Sequence, residues 1–133
     1  MADKVFLDSN VLLYLVSADI AKADAVEALL RRRPFVSVQV LNEVASVCLR
    51  KLRMAWDDID TLMKLVRGAC KVAPLTIETH DSACQLAQRY RLSFYDACIA
   101  ASAHAARCRV LYTEDMHHGL AIGDGLLVQN PFE

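Results

Sequence analysis

The feature that most constrains this chain is the run Val5-Phe6-Leu7-Asp8-Ser9-Asn10-Val11-Leu12-Leu13-Tyr14. A short apolar segment ends on a carboxylate, two helix-capping residues follow, and a second apolar segment begins. A buried strand over residues 4–8 places Asp8 at its C-terminal end, and Ser9 or Asn10 can cap a following helix to about residue 18. In an open α/β sheet the C-terminal edge of the strands is where ligands bind. The question for the rest of the chain is which other carboxylates reach that edge.

Further strands alternate with helices. Asp19 opens a helical pattern with Ala23, Val26, Leu29 and Leu30 at helical spacing. It runs to Arg31-Arg32-Arg33, basic residues suited to a last turn, and stops at Pro34. Residues 35–37 read as a second strand. Residues 38–52 read as an amphipathic helix with the stripe Leu41, Val44, Ala45, Cys48 and Leu52, and residues 56–70 as a further helix. A third strand at 71–73 precedes helices at 76–90 and 93–107. Strands at 109–112 and 126–128 complete the pattern. Such alternation predicts an α/β domain, three layers deep, around a central parallel sheet. A length of 133 residues suits a single domain, and an apolar fraction of 55% suits a sheet covered on both faces.

The net charge of −1 argues against a whole-molecule basic field for gripping duplex nucleic acid, while leaving room for a local basic patch. The five cysteines show no metal-ligand spacing and read as buried apolar side chains in a reducing compartment. No leader or bilayer-length apolar run is evident, which leads us to expect a cytoplasmic protein away from membranes.

Four acids occupy comparable places: Asp8 after the first strand, Glu43 on the helix after the second, Asp96 in the first turn of its helix, and Asp115 after the fourth strand. Singly, each has an ordinary reading as a cap, a turn residue or a solvated side chain. Together at one edge they would repel one another unless cations lay between them. Hard carboxylate ligands on separate elements select Mg²⁺ or Mn²⁺, which activates a water and stabilises a pentavalent phosphate.

Leu7-Asp8-Ser9-Asn10-Val11-Leu12-Leu13-Tyr14, Leu41-Asn42-Glu43-Val44, Phe94-Tyr95-Asp96-Ala97-Cys98-Ile99-Ala100-Ala101 and Leu111-Tyr112-Thr113-Glu114-Asp115-Met116 resemble the four acidic motifs of PIN-domain proteins. The likeness is greatest to VapC-like ribonuclease toxins of type II toxin–antitoxin pairs, and it spans essentially the whole chain. The resemblance implies a Mg²⁺- or Mn²⁺-dependent endoribonuclease, a homodimer, and an antitoxin that inserts a segment near the active site. It implies Asp8, Glu43, Asp96 and Asp115 as the catalytic, metal-binding acids, with Asn10 and Thr113 supporting them. Some relatives carry a further acid after the last motif, where this chain has His117-His118-Gly119.

Outside the motifs, Arg50 shares a side of its helix with Glu43 and is a candidate RNA-phosphate contact. Glu114 is expected to face solvent or serve as a weak extra ligand, and the His117-His118 loop to lie at the surface. Phe94 and Tyr95 are expected to pack in the core or a dimer contact, with stacking on an RNA base the alternative, and Met54, Trp56 and Met63 to pack in the core, with a partner groove the alternative. The rival readings are a PIN-domain RNA-processing nuclease without an antitoxin, a catalytically weak binding or scaffold module, and a phosphoryl-transfer domain using Asp8. The last lacks the second Asp that a phosphatase of that kind carries two residues on.

Overall fold

The computed structural model describes residues 3–133. Its strands are β1 (Val5–Leu7), β2 (Phe35–Ser37), β3 (Lys71–Ala73), β4 (Val110–Tyr112), β5 (Ala121–Ile122) and β6 (Leu126–Gln129). Its helices are α1 (Ser9–Leu12), α2 (Ile20–Leu30), α3 (Val38–Arg50), α4 (Trp56–Ala69), α5 (Ile77–Tyr90) and α6 (Phe94–Ala105), with a 3₁₀ turn at Leu13–Val16. The sheet order is β3-β2-β1-β4-β6-β5. The pairs are parallel except β5 with β6, so the central sheet is parallel as expected, with one short antiparallel strand at its edge.

This order decides where a site can form. The chain steps outward from β1 to β2 to β3, then crosses back to place β4 on the other side of β1. The C-terminal ends of β1 and β4 therefore flank the point where the winding reverses, the place where such sheets open a crevice. β1 is buried along its whole length, as a central strand covered on both faces should be. Helices α3 and α6 both pack on β2 and on each other, which brings the segments carrying Glu43 and Asp96 to the same edge. The core joins Phe6, Leu7, Val36, Leu111 and Val128 of the sheet to Val40, Val44, Cys48 and Ile99 of these helices.

Several sequence expectations need correction. The first helix tightens to 3₁₀ after Leu12 and ends at Val16, short of residue 18, where the Ser17 hydroxyl donates to Tyr14 O at 3.0 Å and accepts from Asp19 N at 3.2 Å, offering the backbone a turn in place of helix. The buried face of α3 centres on Val40, Val44 and Cys48, and Leu52, beyond the helix end, is exposed. Arg31, Arg32 and Arg33 lie past the end of α2, with Arg33 at φ 51°, so they do not form its last turn. The two-residue β5 carries too little pattern to be seen; Gly123 and Gly125, at φ 58° and 113°, make the turn that folds it onto β6. The cysteines are all free; Cys48, Cys70 and Cys108 are buried, whereas Cys84 and Cys98 are only half-buried.

Candidate metal centre

Asp8 is built into the edge by its own backbone. Its N–H donates to Tyr112 O at 3.0 Å, extending the β1–β4 ladder one residue past the strand. Its φ of −78° and ψ of 163° make it the N-cap of α1, with Oδ1 accepting from Ser9 N at 2.7 Å. Of the three residues the sequence offered as caps, Asp8 is the one that caps the helix, and Ser9 and Asn10 lie inside it.

The second carboxylate oxygen is fixed from β4. Thr113, fully buried, donates its hydroxyl to Asp8 Oδ2 at 2.8 Å. The Thr113 hydroxyl oxygen in turn accepts from Asn10 Nδ2 at 3.1 Å and from Asp115 N at 3.1 Å. A hydroxyl offers one donor and two acceptor positions, and here all three are used. Asn10 closes the ring by accepting from Glu114 N through Oδ1 at 3.2 Å. Asp8, Asn10 and Thr113 therefore lock the loop after β4 in the position that carries Asp115.

Asp96 comes from the first turn of α6. Ser93 caps α6 by accepting from Asp96 N at 3.3 Å, one half of the two bonds a capping box would make. Asp8, Asp96 and Asp115 each offer a carboxylate oxygen within 4.8 Å of the others. Glu43 stands beside this group. Its Oε1 accepts from Ser9 Oγ at 2.9 Å and its Oε2 from Gln39 Nε2 at 3.1 Å. Gln39 escaped the sequence reading; its signal was the i, i+4 spacing to Glu43 on one helix.

The electrostatics are those of uncompensated acids. Burial pushes the Asp8 carboxyl up from 3.8 to about 6; the Thr113 hydroxyl and Ser9 N–H oppose this, while the charges of Glu43 and Asp96 add to it. The Asp96 carboxyl is also raised, by burial first, with Asp115 and Glu43 adding and the Ser93 hydroxyl opposing. Among the described residues no Lys, Arg or His forms an ion pair with any of the four acids. The donor set fits a hard divalent cation. An ion with ligands at about 2.1 Å spaces its oxygens about 3 to 4 Å apart, a spacing within the span of this cluster.

Glu114 points elsewhere, neither to solvent nor to the cluster. Tyr14 OH donates to its Oε1 at 2.6 Å and Lys22 Nζ lies 3.5 Å from its Oε2. Lys22 also sits over the rings of Tyr14 and Phe132, 4.7 and 4.9 Å from their centroids. His117 and His118 are exposed, as expected of a surface loop, and His118 Nδ1 accepts from Asn130 N at 2.9 Å, fastening the last segment. Arg50 is exposed in the last turn of α3, two turns from Glu43 on the same side. Met54 and Met63 pack on the core, but Trp56, Phe94 and Tyr95 are 58%, 40% and 62% exposed, so none of these three aromatics is a core residue. Phe94 and Tyr95, with Gln39, Leu75 and His80, line a cleft of about 220 Å³.

The sequence profile of the PIN domain matches residues 5–119. No curated protein matches the chain. Among solved structures, a toxin–antitoxin complex from Klebsiella pneumoniae contains a chain 22% identical, with TM-score 0.73 and coverage of 98% of this chain and 99% of that one. VapBC-1 from nontypeable Haemophilus influenzae gives 17% identity, TM-score 0.71 and coverage of 97% and 98%. VapC20 from Mycobacterium tuberculosis, described as a toxin cleaving the sarcin–ricin loop, gives 18%, 0.63, and 84% and 90%. At these identities the likeness establishes a shared fold.

Proposed function

This chain belongs to the PIN-domain family, and on that premise we propose that it is a Mg²⁺- or Mn²⁺-dependent endoribonuclease, the toxin of a type II toxin–antitoxin pair. The observation that carries the reading is the convergence of Asp8, Asp96 and Asp115 from three separate elements at the reversal point of the sheet. Two of these carboxyls have raised pKa values and no cationic side chain paired with them. A structural ion-pair network would have supplied the missing cations from the chain itself. The fold shared with the toxin chains supports the biological setting.

When bound, a divalent cation supplies Lewis acidity toward a phosphodiester and lowers the pKa of a water. Asp8, Asp96 and Asp115 are the residues that would hold it. Ser9 N–H, Asn10 and Thr113 fix the Asp8 carboxylate so that its geometry is set before substrate arrives. Glu43, held by Ser9 and Gln39 beside the cluster, is placed to orient the attacking water and accept its proton, or to complete the ligand set. In-line attack then leaves a 5′-phosphate on one product. Arg50 is the candidate contact for the RNA backbone.

The protein would act as a single PIN domain in the cytoplasm, as a homodimer whose activity a cognate antitoxin suppresses. No helix among the described residues is long and apolar enough to cross a membrane.

The test is cleavage of several structured RNAs by the purified chain. The reading predicts cutting with Mg²⁺ or Mn²⁺, none in EDTA, and none with Asp8→Asn or Asp96→Asn. Cutting that survives both EDTA and the substitutions overturns it. Growth arrest on expression of the wild type, relieved by Asp8→Asn, separates a toxin from a binding module.

A further inference from the structure

The acidic cluster lies at the C-terminal edge of the sheet. A second charged feature lies at the opposite edge, where β1, β2 and β3 begin. There Lys4, Arg31, Arg32, Arg33 and Lys71 line a cleft of about 360 Å³ with Phe35 at its wall, and the carboxylate that lines it is Asp3. These five cations are a third of the 15 Lys and Arg in a chain whose net charge is −1. The Lys–carboxylate ion pair among the described residues joins Lys22 to Glu114, so it neutralises none of the five.

The cleft is organised around one ring. Lys4 Nζ and Lys71 Nζ lie 5.5 and 5.4 Å from the centroid of Phe35, which gathers two ammonium groups from neighbouring strands despite their mutual repulsion. Lys71 N–H donates to Pro34 O at 2.9 Å, tying the start of β3 to the segment that carries the arginines. Arg33 holds a left-handed backbone at φ 51°, a conformation that favours glycine. Arg53, Arg91 and Arg107 hold the same turn just past other helices, so the conformation marks a helix end, and here it sets Arg33 at the cleft wall.

We propose that this cleft is a second RNA-binding surface, gripping the phosphate backbone of a single-stranded stretch on the side of the molecule away from the acids. Asp8 and Lys4 flank β1, about 13 Å apart through the sheet at roughly 3.3 Å per residue, and an extended RNA of several nucleotides passes around the domain from one edge to the other. An RNA phosphate approaching the acidic edge meets carboxylates, and attraction must come from elsewhere on a chain with no net positive charge. Unpaired guanidinium and ammonium groups around an aromatic face suit a flexible backbone with exposed bases. The choice of RNA among polyanions rests on the nuclease reading; the existence of a polyanion cleft does not.

The test is fluorescence anisotropy with a labelled 20-nucleotide oligouridine, in EDTA, using the full chain carrying Asp8→Asn so that no cleavage intervenes. Arg31→Ala, Arg32→Ala and Arg33→Gly are combined on that background. The triple variant is expected to weaken binding about tenfold or more at moderate salt, and to reduce the slope of log Kd against log salt by about 0.7 per cation removed. Its thermal midpoint should stay level or rise, since glycine fits the backbone at position 33. Equal affinity of the two proteins for RNA, or no RNA binding by the parent, overturns the inference. Displacement of the RNA by polyglutamate as readily as by unlabelled RNA also overturns it, by showing a surface for acidic protein. Because binding is read without divalent ions, its outcome is independent of whether the wild type cleaves in Mg²⁺.

Discussion

Replacing Asp8 by Asn should stabilise the metal-free protein at neutral pH while destroying its activity. The Asp8 carboxyl titrates near 6 in the folded chain against an ordinary 3.8. Below pH 3.8 it is protonated whether the chain is folded or not. Between 3.8 and about 6 the folded state holds the proton more tightly, so stability falls as pH rises; above about 6 the loss is complete. At about 1.4 kcal/mol per pH unit, that interval amounts to about 3 kcal/mol. An amide of the same shape avoids this loss. It also places an NH₂ group where Asp8 Oδ2 now accepts from Thr113 at 2.8 Å, and that mismatched buried hydrogen bond costs about 1 to 2 kcal/mol, while the 3.5 Å contact from Asn10 is too long to add much. The net gain is therefore about 1 to 2 kcal/mol, or roughly 3 to 10 °C in thermal midpoint for a domain of this size. Circular dichroism melts in EDTA from pH 4 to 7.5 measure it. The difference between variant and wild type cancels the other acids and should grow in the variant's favour as pH rises through 4 to 6. Mg²⁺ should then raise the wild-type midpoint more than the variant's; a site at a hundred times its Kd gains about 2.7 kcal/mol, and one bound tenfold more weakly gains about half of that. A variant less stable than the wild type at pH 7.5 in EDTA, or a difference that does not change with pH, would refute the reasoning.

Other outcomes follow from the same contacts. Thr113→Val keeps the shape but strands three hydrogen-bonding partners, and should cost about 2 to 4 kcal/mol in urea unfolding with an unchanged slope. Ser9→Ala frees one oxygen of Glu43 and should lower kcat roughly tenfold, with Ser9→Thr restoring it. Leu111→Ala, at a fully buried position of β4, should lose about 2 to 5 kcal/mol of stability. Arg50→Ala should raise KM for RNA a few-fold, with kcat held and a weaker salt dependence.

The fold was legible because its signals are strong ones. Apolar runs of strand length alternate with helical periodicity, and the Ser93, Thr76 and Asp19 caps mark three helix starts. What stayed hidden depends on contacts distant in sequence. Asp8 reads as either a cap or a site residue, and the folded chain shows one carboxylate capping α1 while also facing Asp96 and Asp115. The bonds that fix it come from Thr113, 105 positions away, and nothing local to either residue announces that meeting. Glu114 shows the reverse: its sequence suggested a solvent-facing side chain or a weak extra ligand, but Tyr14 and Lys22 hold it aside. The arginines after α2 matched the usual preference of a helix end for basic residues. Only the turn at Arg33 and the arrival of Lys4 and Lys71 show that they belong to a cleft.

The central claim is that three carboxylates from separate elements make one divalent-metal site, and Mn²⁺ binding followed by electron paramagnetic resonance tests it without RNA. The wild type should bind Mn²⁺, Asp8→Asn, Asp96→Asn and Asp115→Asn should each weaken it at least about tenfold by loss of a charged ligand, and Mg²⁺ should compete. Wild-type affinity in all three variants would contradict the claim.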